Sequence, residues 1–186
     1  MTRSRLTVFA ASALALVLAA AAVATQGATP AGARTRTQVE PPFVQAATPV
    51  EAGAYLMVVA SCHDCHTAGW TEKKGNVPPE ALLAGNPVGY YGAWGTSYAK
   101  NLRQIADRQT EDHWVEVMRT ADGGEGKLPM PWHDASKFSD KDLRAMYQYT
   151  KSLGPKPVRL PRGTRPGVKP TGAYIDLTVH DSTSGD

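Results

Sequence analysis

Five consecutive residues, Cys62-His63-Asp64-Cys65-His66, hold the side chains of this chain that are best placed to do chemistry. Two cysteines three positions apart can each form a thioether with one vinyl group of a haem, and the histidine that follows can coordinate the iron. The spacing therefore predicts one haem c, attached covalently through Cys62 and Cys65, with His66 as an axial ligand. This attachment would use both cysteines of the chain.

Three other uses of a Cys-x-x-Cys pair fit the sequence less well. A thioredoxin-like dithiol follows a strand and opens a helix, whereas the residues before Cys62 have a helical pattern. A zinc site of this kind needs a second pair of cysteines, and the chain contains only 2 cysteines in all. A structural disulfide between Cys62 and Cys65 suits an exported protein but leaves His66 without a role.

The second axial ligand of an electron-transfer haem is usually Met or His. The candidates are Met57, Met118, Met130, Met146, His113, His133 and His180. Met130 is the preferred ligand because it lies outside the helical patterns, between Pro129 and Pro131, which stiffen the backbone around the thioether. His133 is the second choice, and a methionine within a helical stripe is more often part of the core.

Several aromatic residues have a polar tip that suits the edge of a cofactor. They are Tyr90, Tyr91, Trp94, Tyr98 and Trp132. Each ring could cover a haem edge or bond a propionate, and each could equally be an ordinary packing residue. The sequence leaves both interpretations open.

The N-terminus has the pattern of an export signal. Arg3 and Arg5 precede an uncharged stretch, residues 6–24, which ends in the small residues typical of a cleavage site. Residues 1–24 are therefore predicted to be a signal peptide that directs the protein to the periplasm. The alternative is an uncleaved membrane anchor through residues 6–24, since about 20 apolar residues suffice to span a bilayer.

The charge balance argues against nucleic acid as a partner. The chain has 20 Lys and Arg against 17 Asp and Glu, and two of the basic residues lie in the signal segment. The remaining protein is nearly neutral, and the sequence has no basic cluster interleaved with aromatic residues. Redox proteins are the predicted partners instead.

Composition divides the chain after the signal segment into three parts. Residues 25–47 are predicted to be a flexible linker, residues 48–154 the folded domain, and residues 155–186 a Pro-rich extended tail. Residues 67–100 contain frequent Gly and Pro without a clear period, which favours a long loop that wraps the haem. In the tail, only residues 173–179 have the pattern of a short strand.

Three helices are predicted within the domain. A capping box at Thr48-Pro49-Val50-Glu51 begins the first helix, which is predicted to run into Cys62. Its inner face is predicted to contain Ala54, Met57 and Val58, with Cys62 continuing that face at the end of the helix. The second helix opens at Thr110-Glu111-Asp112 and ends within residues 121–126. Its buried residues are predicted to be Trp114, Val117 and Met118.

The third helix has the clearest pattern. It follows the cap Ser139 and stops before Gly154-Pro155. Its apolar stripe has the spacing i, i+3, i+4, i+7 and i+10, and it consists of Leu143, Met146, Tyr147, Thr150 and Leu153.

The haem motif, the later Pro129-Met130-Pro131-Trp132 and the helix at residues 140–153 together resemble class I, mitochondrial-type bacterial cytochrome c domains. Residues 101–102 and 110–120 are also similar to the middle of single-haem domains attached to bacterial oxidoreductases. The resemblance covers about residues 48–154. It implies an all-α cytochrome c fold, with three to four helices around one covalently bound haem, long irregular loops and an extended C-terminal tail.

The resemblance also has implications for the site. It implies that the first and last helices cross beside the haem, with Gly53 or Ala54 close to Tyr147 or Tyr149. His66 and Met130 would be the axial pair, and Met/His ligation gives a raised reduction potential.

The main functional prediction is a periplasmic electron-transfer protein rather than an enzyme. It would carry single electrons from a dehydrogenase or quinol-oxidising complex to an oxidase or another redox partner. The alternative is a cytochrome subunit whose tail, residues 155–186, docks on a larger periplasmic oxidoreductase. A gas-binding sensor or haem enzyme is less favoured, because a candidate sixth ligand follows His66 and the chain has no second haem motif.

Overall fold

A computed structural model describes residues 41–120 and 128–180 of the chain. In these two ranges it contains six α-helices, three β-strands and one 3₁₀ turn at Pro79–Ala81. The α-helices and β-strands in chain order are α1 Pro49–Val59, α2 Cys62–His66, β1 Gly89–Gly92, β2 Gly95–Tyr98, α3 Leu102–Arg108, α4 Glu111–Thr120, α5 Trp132–Ala135, α6 Asp140–Ser152 and β3 Tyr174–Asp176. None of the helices in the described ranges is long and apolar enough to cross a membrane. The predicted signal peptide, residues 1–24, lies outside the described residues.

The prediction of an all-α fold is wrong, because the protein contains a three-stranded mixed sheet in the order β2-β1-β3. β1 and β2 form an antiparallel hairpin within the segment predicted to be a long loop, and β3 pairs with β1 in parallel. Gly89, Gly92 and Gly95 interrupt the tyrosines and threonine of the hairpin, so its alternation was masked by glycines. Gly95 has φ +92°, a left-handed conformation that glycine adopts readily at the tight turn.

The core is built where α1 crosses α6. Gly53 makes the crossing close, because a Cβ there would lie 2.0 Å from the carbonyl oxygen of Ala145 and 2.7 Å from Cβ of Tyr149. The predicted approach of Gly53 to Tyr149 is therefore confirmed, although the backbone of Ala145 lies closer. Leu143 and Met146 on α6 and Met57 on α1 belong to the resulting hydrophobic core.

The first helix is shorter than predicted. The capping box at Thr48 is confirmed, with reciprocal hydrogen bonds of 3.2 Å between Thr48 and Glu51. However, α1 ends at Val59, and Ser61 in the left-handed region (φ 55°) separates it from α2. Val58, predicted to face inwards, is 52% exposed, since the crossing at Gly53 turns Ala52, Leu56 and Met57 towards the core.

The other two predicted helices are present. α4 opens at Glu111 and buries Trp114 and Met118, whereas Val117 is only partly buried, and the predicted end of this helix lies outside the described residues. α6 begins after Ser139, whose hydroxyl accepts a hydrogen bond from the Asp142 N–H at 3.0 Å. Four of the five residues of its predicted stripe are buried, with Leu153 at the C-cap. The short helix α3 was not predicted.

The C-terminal segment, residues 155–180, lies against the rest of the domain. β3 falls within the predicted strand at residues 173–179 and extends the sheet. Before it, the carbonyl oxygen of Lys156 accepts a hydrogen bond from Asn101 Nδ2 at 2.7 Å, and Thr164 bridges to Thr96 of β2. The segment is thus joined to α3 and to the sheet at several separate points.

Candidate cofactor site

A cavity of about 890 Å³ brings together the residues that the sequence suggested for one site. Its lining includes Cys62, Cys65, His66 and Met130. The volume is within the range of roughly 300–1,000 Å³ that is usual for small-molecule and cofactor pockets. Apolar side chains supply much of the wall, among them Met57, Leu102, Ile105, Val117, Phe138 and Leu160.

The helix α2 places the two cysteines on the same wall. It is a separate five-residue helix, and residues three positions apart on a helix lie on one face. Both cysteines are free thiols. Burial, assisted by the nearby Cys65, raises the pKa of Cys62 to about 11, so this thiol is protonated at neutral pH. The active cysteine of a dithiol oxidoreductase has the opposite property, a lowered pKa.

His66 has one ring nitrogen fixed by the backbone. Its Nδ1 lies 2.7 Å from the carbonyl oxygen of Lys100, which can only accept a hydrogen bond, so Nδ1 carries the proton. In the neutral ring the lone pair is then on Nε2. Burial lowers the pKa of His66 below its ordinary value, which favours this neutral form. A hydrogen bond from the non-ligating nitrogen to a backbone carbonyl is the usual way to orient a metal-binding histidine.

His63, inside the motif, anchors α2 to the protein. Its ring is 1% exposed and stacks on Trp70 with 4.2 Å between the ring centroids. Its Nδ1 lies 2.8 Å from Thr67 Oγ1, which also accepts a hydrogen bond from the N–H of Leu83 at 2.8 Å. The hydroxyl of Thr67 thus joins the His63 ring to the backbone at Leu83. Burial lowers the pKa of His63 to about 4, so its ring is neutral. Neither His63 nor Thr67 lines the cavity, so these contacts fix the motif from outside it.

This anchor leads to a prediction about stability. Thr67→Val keeps the shape of the side chain but leaves the Leu83 N–H and His63 Nδ1 without partners in a buried site. We expect the free energy of unfolding to fall by about 2–6 kcal/mol, because each of the two buried unpaired groups costs about 1–3 kcal/mol. Urea denaturation followed by circular dichroism measures it. Thr67→Ser, which keeps the hydroxyl, is the control, and equal stability of the two variants would contradict the assignment.

Met130 lies two residues before the start of α5, and its loop is tied to β2. The hydroxyl of Ser97 donates a hydrogen bond to the carbonyl oxygen of Leu128 at 2.6 Å, and the N–H of Trp132 donates to the carbonyl oxygen of Met130 at 2.9 Å. Met130 is partly buried and packs against the core. The loop is therefore anchored to β2 at Leu128, and a bond within the loop joins Met130 to Trp132.

The other candidates for the second axial ligand fall into two groups, those that line the cavity and those that do not. Met57, Met118 and Met146 also line the cavity, but they are buried within the core on α1, α4 and α6. His113, His133 and His180 do not line the cavity and are exposed. Among the candidates for the second axial ligand, the methionines therefore line this cavity and the histidines do not.

Polar groups without partners test whether the cavity fits a haem. Thr96 Oγ1, Trp114 Nε1 and Trp132 Nε1 are buried, make no hydrogen bond and line the cavity. Buried donors of this kind are costly unless a bound molecule accepts from them. A largely apolar cavity with thiols, an imidazole, a thioether and several unused donors fits a haem, which is apolar except for its iron and two carboxylates.

No family model, characterised protein or solved structure matches this chain. The resemblance to class I cytochrome c domains thus remains a prediction from the quoted motifs. Across the two described ranges, the structure also contains no group of three or more His, Cys, Asp or Glu residues that could hold a metal ion. A haem iron takes only one histidine and one thioether from the protein, so its site does not require such a group.

Some of the predicted aromatic residues line the cavity, and so does part of the C-terminal segment. Tyr90, Tyr98 and Trp132 line the cavity, whereas Tyr91 and Trp94 do not. The lining also includes Thr96 and residues 160–163, which no sequence pattern pointed to. Thr96 reaches the cavity because it lies on β2, and residues 160–163 reach it because the C-terminal segment returns to the sheet. Both placements depend on long-range contacts that the sequence around the motif does not indicate.

Proposed function

We propose that this chain is a periplasmic single-haem c-type cytochrome that transfers single electrons between redox proteins. The observation that carries the proposal is that Met130 lines one cavity together with Cys62, Cys65 and His66, although it is far from them in sequence. Cys62 and Cys65 would hold haem c as thioethers, and His66 and Met130 would be the axial ligands. When bound, the haem iron supplies reversible one-electron chemistry.

The surrounding residues have definite tasks in this function. The hydrogen bond from His66 Nδ1 to the carbonyl of Lys100 orients the ring and leaves Nε2 for the iron. The bonds at Ser97 and Trp132 hold the Met130 loop, so that a thioether ligand needs little further ordering. The apolar walls exclude water, and Met/His ligation together with a dry site raises the reduction potential.

Two alternatives have less support. A dithiol oxidoreductase needs an accessible thiolate, and the pKa of about 11 for Cys62 opposes this. A gas sensor or haem enzyme needs an open sixth position, and Met130 lies in the same cavity as His66. The chain therefore fits an electron carrier without a catalytic residue of its own.

The proposal also concerns partners. The donor would be a dehydrogenase or quinol-oxidising complex and the acceptor an oxidase or another redox protein, with export directed by residues 1–24. The alternative of a subunit docked through its tail is less favoured. Residues 156 and 164 and the strand β3 already bond to the chain's own α3 and sheet, so these groups cannot hold a partner at the same time.

The proposal predicts covalent haem in the full chain. Expressed with intact haem-attachment machinery and exported, the protein should retain a haem stain after denaturing electrophoresis, with one haem per chain by the pyridine haemochrome assay. The double variant Cys62→Ala with Cys65→Ala should lose the stain entirely, because no thioether can form. An unstained wild-type chain, produced beside a known cytochrome c that stains normally, would refute the function.

A further inference from the structure

The C-terminal segment supplies part of the cavity wall. Its contribution consists of Leu160, Pro161, Arg162 and Gly163. Directly after them, Thr164 is bonded to β2: its N–H donates to the carbonyl oxygen of Thr96 at 3.0 Å, and its hydroxyl accepts from the Thr96 N–H at 2.9 Å. The wall is therefore fixed to a strand whose own residue, Thr96, lines the same cavity.

Glycines allow this contact to be unusually close. A Cβ on Gly163 would lie 2.6 Å from the carbonyl oxygen of Thr96, and a Cβ on Gly95 would lie 2.3 Å from the carbonyl oxygen of Thr164. A Cβ on Gly85 would likewise lie 2.6 Å from a methyl group of Leu160. Because three positions accept only glycine without a shift of the neighbours, this part of the segment is held in one register.

Arg162 is the cation of the cavity lining that has no partner among the described residues. The charged side chains that line the cavity are Asp64, Lys100, Asp134 and Arg162. Within the described residues, Arg162 makes neither a hydrogen bond nor an ion pair. The guanidinium groups of Arg103, Arg119 and Arg144 are bonded to carbonyls or carboxylates. The other described arginines without a bonded guanidinium do not line the cavity; they are Arg108, Arg159 and Arg165. The other titratable residues of the lining are His66, Tyr90, Tyr98 and the two cysteines.

We propose that Arg162 binds the carboxylates of the cofactor, with the hydroxyl of Thr96 as a second donor. The inference rests on the proposed function, since haem supplies two propionate carboxylates. A guanidinium can donate two parallel hydrogen bonds to one carboxylate, and the unpaired Thr96 Oγ1 lies on the strand that Gly163 and Thr164 contact. The C-terminal segment is then a component of the haem site and not an appendage.

The test compares three variants of the full haem-bearing chain. Arg162→Gln removes the charge, Arg162→Lys keeps it, and Arg159→Gln removes a charge from an exposed neighbour that does not line the cavity. The midpoint potential is titrated against pH, because ionisation of a propionate lowers the potential as the pH rises. Removing a cation that stabilises the carboxylate should move this fall to higher pH, on the order of one pH unit.

The outcomes separate this inference from the proposed function. A shift in Arg162→Gln, with Arg162→Lys and Arg159→Gln close to wild type, supports it. If Arg162→Gln carries haem and titrates like wild type, or if Arg159→Gln shifts equally, the inference fails while the proposed function stands. If wild-type protein carries no haem, both fail together.

Discussion

If Met130 is the second axial ligand, as proposed, Met130→Ala should convert the closed haem site into an open one. The variant should keep its covalent haem but lose the weak ferric absorbance band at the red end of the spectrum that reports thioether ligation. Its reduced form should bind carbon monoxide rapidly. The potential should fall by on the order of 0.1 V, within the range of roughly 0.8 V that axial ligands control. Optical spectroscopy, carbon monoxide mixing and a redox titration measure the three effects.

Met118→Leu is a suitable control for this experiment. Met118 lines the same cavity but is buried on α4, so a substitution that conserves its volume should leave the band and the potential near wild type. Retention of the band in Met130→Ala would show that Met130 is not the ligand. Loss of the band in Met118→Leu would transfer the assignment to Met118.

Gly53→Ala should strongly destabilise the protein. The new Cβ would lie 2.0 Å from the carbonyl oxygen of Ala145, which belongs to helix backbone and cannot rotate away. α1 and α6 must therefore separate along the crossing that forms the core. We expect a loss of about 3 kcal/mol or more in the free energy of unfolding, at the upper end of overpacking effects. This is a large share of the 5–15 kcal/mol typical of a domain.

Gly172→Ala provides the matched comparison for this prediction. Its Cβ would meet no atom within 4 Å, and its backbone is not in the left-handed region. Thermal or urea unfolding of the two variants should give a near-wild-type midpoint for Gly172→Ala and a strongly lowered one for Gly53→Ala. Equal midpoints would mean that the helices do not approach as closely as the structure shows.

Local patterns predicted the helices with clear end signals. The Thr48 capping box, the acidic first turn of α4 and the Ser139 cap each depend on residues within four positions of the helix end, so they are visible in the sequence. The end of α1 was not visible. Ser61 adopts a left-handed conformation without the glycine or proline that usually marks such a break.

The sheet and part of the site could not be predicted for a different reason. β1 is completed by β3, more than 80 residues later, and this parallel pairing depends on contacts that no sequence window contains. Because the C-terminal segment returns to the sheet, Arg162 lines the cavity and Thr164 pairs with Thr96 of β2. By contrast, Cys62, Cys65 and His66 are fixed by spacing alone, and the prolines around Met130 marked its loop.

The residues that form the cavity wall are synthesised at different times. Cys62 and Cys65 are made about 100 residues before the segment at residues 160–163 that closes the same cavity. Long-range contacts of this kind form late, because the loop between them must be closed first. In the proposed periplasmic cytochrome, the thiols would therefore remain accessible while the last part of the chain is still to dock, and covalent attachment of the haem could precede the closing of the wall.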